Sequence, residues 1–421
     1  VLTPEENRRL TEVGPQTPMG AVFRRYWLPA LLSSELPEAD GPPVRVRLLG
    51  EELVGFRDTT GSVGLLSAYC PHRRAPLFFG RNEEAGLRCV YHGWKFDRAG
   101  ACVDMPSEPS DSLFKSKVGV ESYPTHEAGG IVWAFMGPIE MLPSPPDFEF
   151  VRAPASHRHV SKTFESCNYL QALEGGVDTA HSSFTHNNDL GNRKALRQRD
   201  RSPRIDVERT DFGYTYSGIR DAGENDYVRV YHYIMPSMQC RGNVMGRDGE
   251  QNAIPMIDGH IWVPIDDEHT FVYNWMYAYD PATSLPAGFA VARETAHGRG
   301  PDDIGPDFRL HKNLANDYEI DRTLQKQKTF TGIVGVNTQD YALQEGMGSV
   351  VDRTKEHLGT SDRAIIVARQ LLMQATNDVA AGKPPRGADP QASARVRPVD
   401  RLVPKNADWH EALKQELVAR F

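Results

Sequence analysis

The chain has 421 residues, a formal charge of −8 and only five Cys. That length is more than one hydrophobic core usually serves, so two or three domains are expected. Acidic and basic residues are interspersed and no run of about eighteen apolar residues occurs, so no nucleic-acid surface and no membrane span is expected.

The sparse, odd set of Cys argues against a disulfide framework and for a reducing, cytoplasmic setting. The first residues lack a charged start followed by an apolar run, so they do not read as a signal peptide. Residues 4–10 read as a short helix, followed by a Gly/Pro-rich loop to residue 20. From Val44 the pattern is strand-like: Val44, Val46 and Leu48 alternate with Arg45 and Arg47, and Gly50-Glu51-Glu52 signals a hairpin. Asp58-Thr59-Thr60-Gly61 is a further turn, and 131–136 is a buried strand stopped by Gly137-Pro138. Short strands at short intervals predict a small antiparallel β domain. The run 143–154 holds four prolines, and this composition shift sets an expected boundary near 150, giving domains 1–150 and 151–421.

The second part opens with a strand at 160–164 and a helix over 167–178. Residues 187–201, dense in Arg and Lys, read as a loose polar stretch. A meander follows at 212–220, 227–234, 260–264 and 271–279. After Pro281 the pattern turns helical, over 310–327 and over 363–381, where Gly382 and Pro384 supply the stop. Residues 407–421 could form a last amphipathic helix. Cys102, Cys167 and Cys240 are most simply buried small hydrophobes.

Chemistry concentrates in two places. The first is Cys70-Pro71-His72 with Cys89-Val90-Tyr91-His92. Two thiolates and two imidazoles can hold a [2Fe–2S] cluster, the thiolates on one iron and the imidazoles on the other. A structural zinc ion also takes two Cys and two His, although zinc sites usually pair like with like at short spacing. The mixed arms, followed by Gly93-Trp94, resemble the Rieske domain of ring-hydroxylating oxygenases.

The second is Asp178-Thr179-Ala180-His181, with His186 five residues on. Asp178 and His181 share a helix face, whereas His186 requires the helix to end or bulge. Two imidazoles and a carboxylate with open positions make the facial triad of non-haem Fe(II) oxygenases. The order of both motifs resembles Rieske non-haem iron oxygenases along nearly the whole chain. That resemblance implies an α+β architecture: an antiparallel β Rieske domain, then a helix-grip catalytic domain with a curved antiparallel sheet. It implies a Rieske cluster on Cys70, His72, Cys89 and His92, and mononuclear Fe(II) on His181 and His186, with dioxygen as co-substrate. A downstream Asp is the third ligand in the family; Asp340 is expected here, with Glu345 and Asp352 as rivals. Asp178 is implied to link His181 to a cluster histidine of a neighbouring subunit, by position His92. Glu174, one turn earlier, either tunes the electron or proton path or is a solvated helix residue.

The wording around residues 13–20, 170–178 and 339–362 is similar to the phthalate dioxygenase branch. This implies a homotrimer or hexamer, a separate flavin and [2Fe–2S] reductase drawing on NAD(P)H, and hydroxylation of an aromatic carboxylate such as phthalate, chlorobenzoate or phenoxybenzoate, as cis-dihydroxylation. An O-demethylase or monooxygenase using the same metals is a rival, as are a Rieske electron-transfer protein and a zinc-stabilised binding module. An anionic aromatic needs an apolar slot with one or two Arg to fork its carboxylate. The candidates are Arg204, Arg209, Arg220, Arg229, Arg241 and Arg247, of which Arg204 and Arg241 are the expected substrate residues.

Overall fold

A computed structural model describes all 421 residues. The first part is built from three small antiparallel sheets. One joins Trp27–Leu32, Ile131–Phe135 and Thr125–Ala128; a second runs Val44–Leu48, Glu51–Arg57, Val63–Ser67; the third is a four-stranded ribbon over residues 81–104. Alternation is visible in Val44–Leu48, where Val46 and Leu48 are buried and Arg45 and Arg47 exposed.

The second part is one large antiparallel sheet of eight strands. Arg158–Glu165 lies at one edge, beside Thr270–Ala278, then Gln251–Pro264, Met238–Met245, Asn225–Ile234, Gly213–Asp221 and Arg204–Arg209. Asp400–Pro404 adds to Asn225–Ile234. The helices Tyr169–Val177, Val336–Gly346 and Arg363–Ala380 pack on it and on one another.

Two cores result. The larger joins 67 buried residues from both parts, and the smaller joins 12, including Cys70, Cys89 and Trp94. The proline-rich run is itself packed: Phe150 stacks on Trp275, and Phe148 lies against Trp133. Lys162 crosses between the parts to Glu35 at 2.7 Å, with its ammonium over the rings of Phe271 and Phe308. We propose the division near 150 as the domain boundary. The N-terminal arm crosses it, because Asn168 donates to the Thr11 carbonyl and Tyr169 to that of Leu10.

Three local expectations are corrected. The helix expected over 310–327 is broken: Leu314–Glu319 is a 3₁₀ run with Asp317, Tyr318 and Glu319 at positive φ, and only Arg322–Gln327 is α-helical. The cause is two competing caps, Asn313 on the Ala315 N–H and Asp321 on those of Thr323 and Leu324, together with burial of Tyr318 against Glu345. The tail is helical only over Trp409–Leu413. Beyond it, Ala419 donates to the Arg395 carbonyl and Arg420 to the buried Glu149, bonds that an exposed helix could not make. The stretch 187–201 is held by side-chain turns and carries a short helix, Leu196–Arg199. The helix Arg363–Ala380 forms where expected, and Cys102, Cys167 and Cys240 are buried and free.

Candidate active site

The cluster motif occupies two loop tips of the first part. Cys70 follows Val63–Ser67, and its backbone closes on Ala75 at 2.9 Å. Cys89 and Trp94 close the second tip at 2.8 Å, and Gly93 turns there with φ +79. A Cβ on Gly93 would meet Pro106 at 2.7 Å, so only glycine fits this tip. The two Cys are buried, while His72 is exposed and His92 half-buried. The imidazoles meet at 4.4 Å between ring centroids, and His72 stacks on Trp94.

This donor set fits a two-metal cluster. Burial, with Cys89 beside it, pushes the Cys70 thiol up to about 11, so a thiolate there needs bound metal charge. His92 Nδ1 is buried without a hydrogen-bond partner. The two Cys are buried together in one small core while the two imidazoles meet edge to face outside it, which suits ligands divided between two irons better than the cage of a single zinc ion. Cys70→Ser and His92→Ala are each expected to abolish the visible absorption and the reduced-state EPR signal of the cluster. A normal signal in both variants overturns the assignment.

The second motif forms around the end of the helix Tyr169–Val177. Asp178 is its C-cap in extended conformation, and the chain turns through His181–Ser183 before His186. The helix therefore ends before the motif: Asp178 and His181 do not share a helix face as expected, because Asp178 caps the helix in extended conformation and the chain turns again at His181. Gly175 and Gly176 let it sit close to its neighbours: a Cβ on Gly176 would lie 2.1 Å from Trp262, and one on Gly175 1.9 Å from Gln344. This approach brings the helix Val336–Gly346, and with it Asp340, against the histidines. His181 Nε2 lies 3.1 Å from His186 Nε2, and Asp340 Oδ1 lies 3.6 Å and 3.3 Å from those two atoms.

The His186 tautomer is set from behind. Gln339 donates its amide to Ile333 O and Asn188 Oδ1, so its Oε1 accepts from His186 Nδ1 at 2.9 Å. His186 Nε2 is then an unprotonated donor to a metal. Asp178 Oδ2 lies 3.4 Å from His181 Nδ1, misaligned for a hydrogen bond, which leaves that nitrogen without one. Lone pairs and a carboxylate facing one another this closely repel unless a cation lies among them, so the three residues fit a divalent metal. The rivals point elsewhere. Glu345 accepts from Ser166 N–H and the Tyr318 hydroxyl, and Asp352 binds Thr354 and Lys355 at the surface.

Beside the triad lies a cavity of about 380 Å³ lined by Arg197, Arg229, Arg241, Arg247 and Arg293. Asp258 holds two of them, with Oδ1 2.6 Å from Arg241 Nε and Oδ2 2.5 Å from Arg293. Arg241 also donates to His260 Nε2 at 3.1 Å, and His260 Nδ1 donates to Asn274 Oδ1 at 2.8 Å. Arg229 donates only to the Gly242 carbonyl, and Arg197 has no hydrogen-bonding partner. Burial lowers the Arg197 guanidinium to about 10, which leaves it charged near neutral pH.

Two expected site residues are corrected. Arg204 is no substrate residue: it sits on the edge strand with its side chain 68% exposed, pairs with Asp206, and does not line the cavity. Glu174 is no solvated helix residue, and it does not line the cavity. Its carboxylate turns away from the cavity to Arg353 at 2.9 Å and Arg369 at 2.5 Å. Arg209 is exposed, and Arg220 is buried under the site against the Thr179 carbonyl. The sequence reading missed Arg197, Arg293, His297, Asn337 and Gln339. The Asn337-x-x-Asp340 and Arg293-x₃-His297 spacings, each one helical turn, were the available signals.

Residues 26–124 match the family described as the Rieske [2Fe–2S] domain, and residues 134–419 match the family described as LigXa C-terminal domain like. The chain belongs to the Rieske non-haem iron oxygenases. This oxygenase is 38% identical to the phthalate 4,5-dioxygenase oxygenase subunit of Pseudomonas putida, over 98% of the chain and 94% of that protein. It is 36% identical to the 3-chlorobenzoate-3,4-dioxygenase oxygenase subunit of Comamonas testosteroni, over 98% of each. Identity to the 5,5'-dehydrodivanillate O-demethylase oxygenase subunit of Sphingobium is 31%, over 100% of the chain and 90% of that protein. Among solved structures, dicamba monooxygenase bound to dicamba matches with TM-score 0.61 at 19% identity, over 85% of the chain and 98% of that structure. NdmB of Pseudomonas putida CBB5 matches with TM-score 0.63 at 19% identity, over 93% and 99%. These two likenesses show the fold.

The oxygenase subunit therefore uses a Rieske cluster and a mononuclear iron, with electrons from a separate reductase. When bound, the cluster passes single electrons and the iron offers open positions for dioxygen. Among the residues around them, Gln339 orients the His186 imidazole. No helix is long and apolar enough to cross a membrane.

Proposed function

We propose that this Rieske oxygenase hydroxylates an aromatic carboxylate, as a cis-dihydroxylating dioxygenase fed from NAD(P)H by a flavin and [2Fe–2S] reductase in the cytoplasm. The cavity carries the reading: five arginines converge beside the triad against the carboxylates Asp178, Asp258 and Asp340. Asp178 and Asp340 are turned toward the histidines, so the remaining guanidinium charge faces the cavity with Asp258 alone to offset it. The chain's net charge of −8 does nothing to draw an anion in, so this local field must. Arg241 is the best-placed clamp, because Asp258 and His260 fix its plane before substrate arrives. The deciding experiment is turnover of benzoates, phthalate isomers and phenoxybenzoates with a reductase, with product identification. A cis-diol from an acid supports the reading; loss of a methyl group from a methoxy acid moves it to the O-demethylase alternative. Replacing the preferred acid by its neutral amide is expected to lower kcat/KM by about 100-fold, since charge-assisted bonds in a desolvated slot are lost. Equal kcat/KM for acid and amide removes the carboxylate while leaving the oxygenase.

The assembly belongs to the same proposal. The cluster tip exposes Val90, Tyr91, Leu113 and Phe114, and the chain beside the triad exposes Phe184, Phe330 and Val334. Two different apolar surfaces suit a head-to-tail contact, and such a contact can close as a ring. A homotrimer or a pair of trimers follows, with Asp178 of one chain facing a neighbouring copy's cluster tip. The solution mass measures it, and a monomer with full turnover rules it out.

A further inference from the structure

His297 stands at the C-terminal end of the helix Phe289–Ala296, one turn after Arg293, and lines the cavity. Its Nδ1 lies 2.7 Å from the Arg293 carbonyl oxygen. A carbonyl only accepts, so Nδ1 carries the proton and Nε2 presents a lone pair. No protein donor reaches Nε2. Burial, then the charges of Arg299 and Arg293, lowers the imidazole to about 3, so the ring stays neutral. Asn337 adjoins it, donating its backbone N–H to the His297 carbonyl at 3.0 Å. The Asn337 amide faces Asp340 Oδ2 at 3.5 Å, which leaves Asn337 Oδ1 buried and unpartnered, with the residue 7% exposed. The wall next to the third triad residue thus offers an acceptor, His297 Nε2, with no protein donor to fill it, beside an Asn337 carbonyl oxygen that is buried and also unpartnered. The opposite charge stands one turn earlier on the helix at Arg293 and across from it on the sheet at Arg241, two guanidinium donors that share the single carboxylate of Asp258.

A carboxylate cannot use an acceptor, and a guanidinium cannot receive a hydroxyl proton. The two ends of this wall therefore ask for two different groups on one ring. We infer that the substrate carries an aromatic hydroxyl as well as its carboxylate, and that the hydroxyl donates to His297 Nε2 while the arginines hold the carboxylate. This rests on the aromatic-carboxylate reading for the second group only. A site built to bond a hydroxyl rejects the analogue that lacks the donor, because a buried acceptor is left unpaired.

The test measures dissociation constants on the intact holoenzyme. The probes are meta- and para-hydroxybenzoate against the corresponding methoxybenzoates, and phenol against anisole. At least one hydroxy acid is expected to bind about tenfold more tightly than its methoxy partner. His297→Phe should bring that ratio close to one, and His297→Gln, which keeps an acceptor, should restore part of it. A ratio near one in the wild-type protein for both isomers overturns the inference, as does an unchanged ratio in His297→Phe. If no acid binds but phenol binds about tenfold better than anisole, the carboxylate reading falls and the hydroxyl site stands. Phenol binding no better than anisole in that case, or not at all, overturns the hydroxyl site as well.

Discussion

Asp340→Ala, His181→Ala and His186→Ala are each expected to lose the mononuclear iron and all oxygenation, while the cluster signal is unchanged. The three donor atoms face one another at 3.1 to 3.6 Å, and removing one leaves a site with too few ligands to hold iron against solvent. The cluster residues belong to a separate core around Cys70, Cys89 and Trp94, so their signal should survive. Iron content by metal analysis and product yield with a reductase are the two readings. Full iron and full turnover in Asp340→Ala would return the third position to Glu345 or Asp352, although Glu345 is already pinned by Ser166 and Tyr318. Gln339→Leu should act more mildly, because it frees the His186 tautomer without deleting a ligand; a loss of about 10- to 100-fold in iron affinity is expected.

Asp178→Asn is expected to keep both metal centres and yet cut turnover by about 100-fold. Asp178 is not among the three converging ligand residues. It lies 3.4 Å from His181 Nδ1, its Oδ1 already accepts from Ala180 N–H at 2.7 Å, and its side chain remains 21% exposed. A carboxylate so placed lies beside His181 and can still bond a group arriving from outside the chain, and in the proposed head-to-tail ring that group would be His92 of another copy. The asparagine keeps the shape and removes the charge. Re-oxidation of pre-reduced cluster by dioxygen in a single turnover separates this effect from slow binding or slow product release. A wild-type re-oxidation rate in Asp178→Asn would remove the bridge and leave the triad intact.

Much of this protein could be read without coordinates, and the reason is locality. The pairs Cys70/His72 and Cys89/His92 and the trio Asp178/His181/His186 are each contained in a few residues, so spacing alone carries their chemistry. The alternation in Val44–Leu48 and the capped run of Arg363–Ala380 are local in the same sense. Asp340 was legible only together with its rivals; the choice depended on which carboxylate the packing of Val336–Gly346 against Gly175 and Gly176 turned toward the histidines. The cavity wall was not legible at all. Arg241 stands directly across from Asp258, and His260 across from Asn274, through the pairing register of three strands. Register fixes which side chains face one another, and a one-residue slip would send each to the opposite face of the sheet. Arg204 and Arg241 look alike in the chain, yet one lies on an edge strand in solvent and the other on an interior strand over the cavity. The sequence by itself therefore determined the metals and the class of chemistry, because short motifs hold them. Only the tertiary structure decided which charges and acceptors meet the substrate, because those come from strands and helices far apart in the chain.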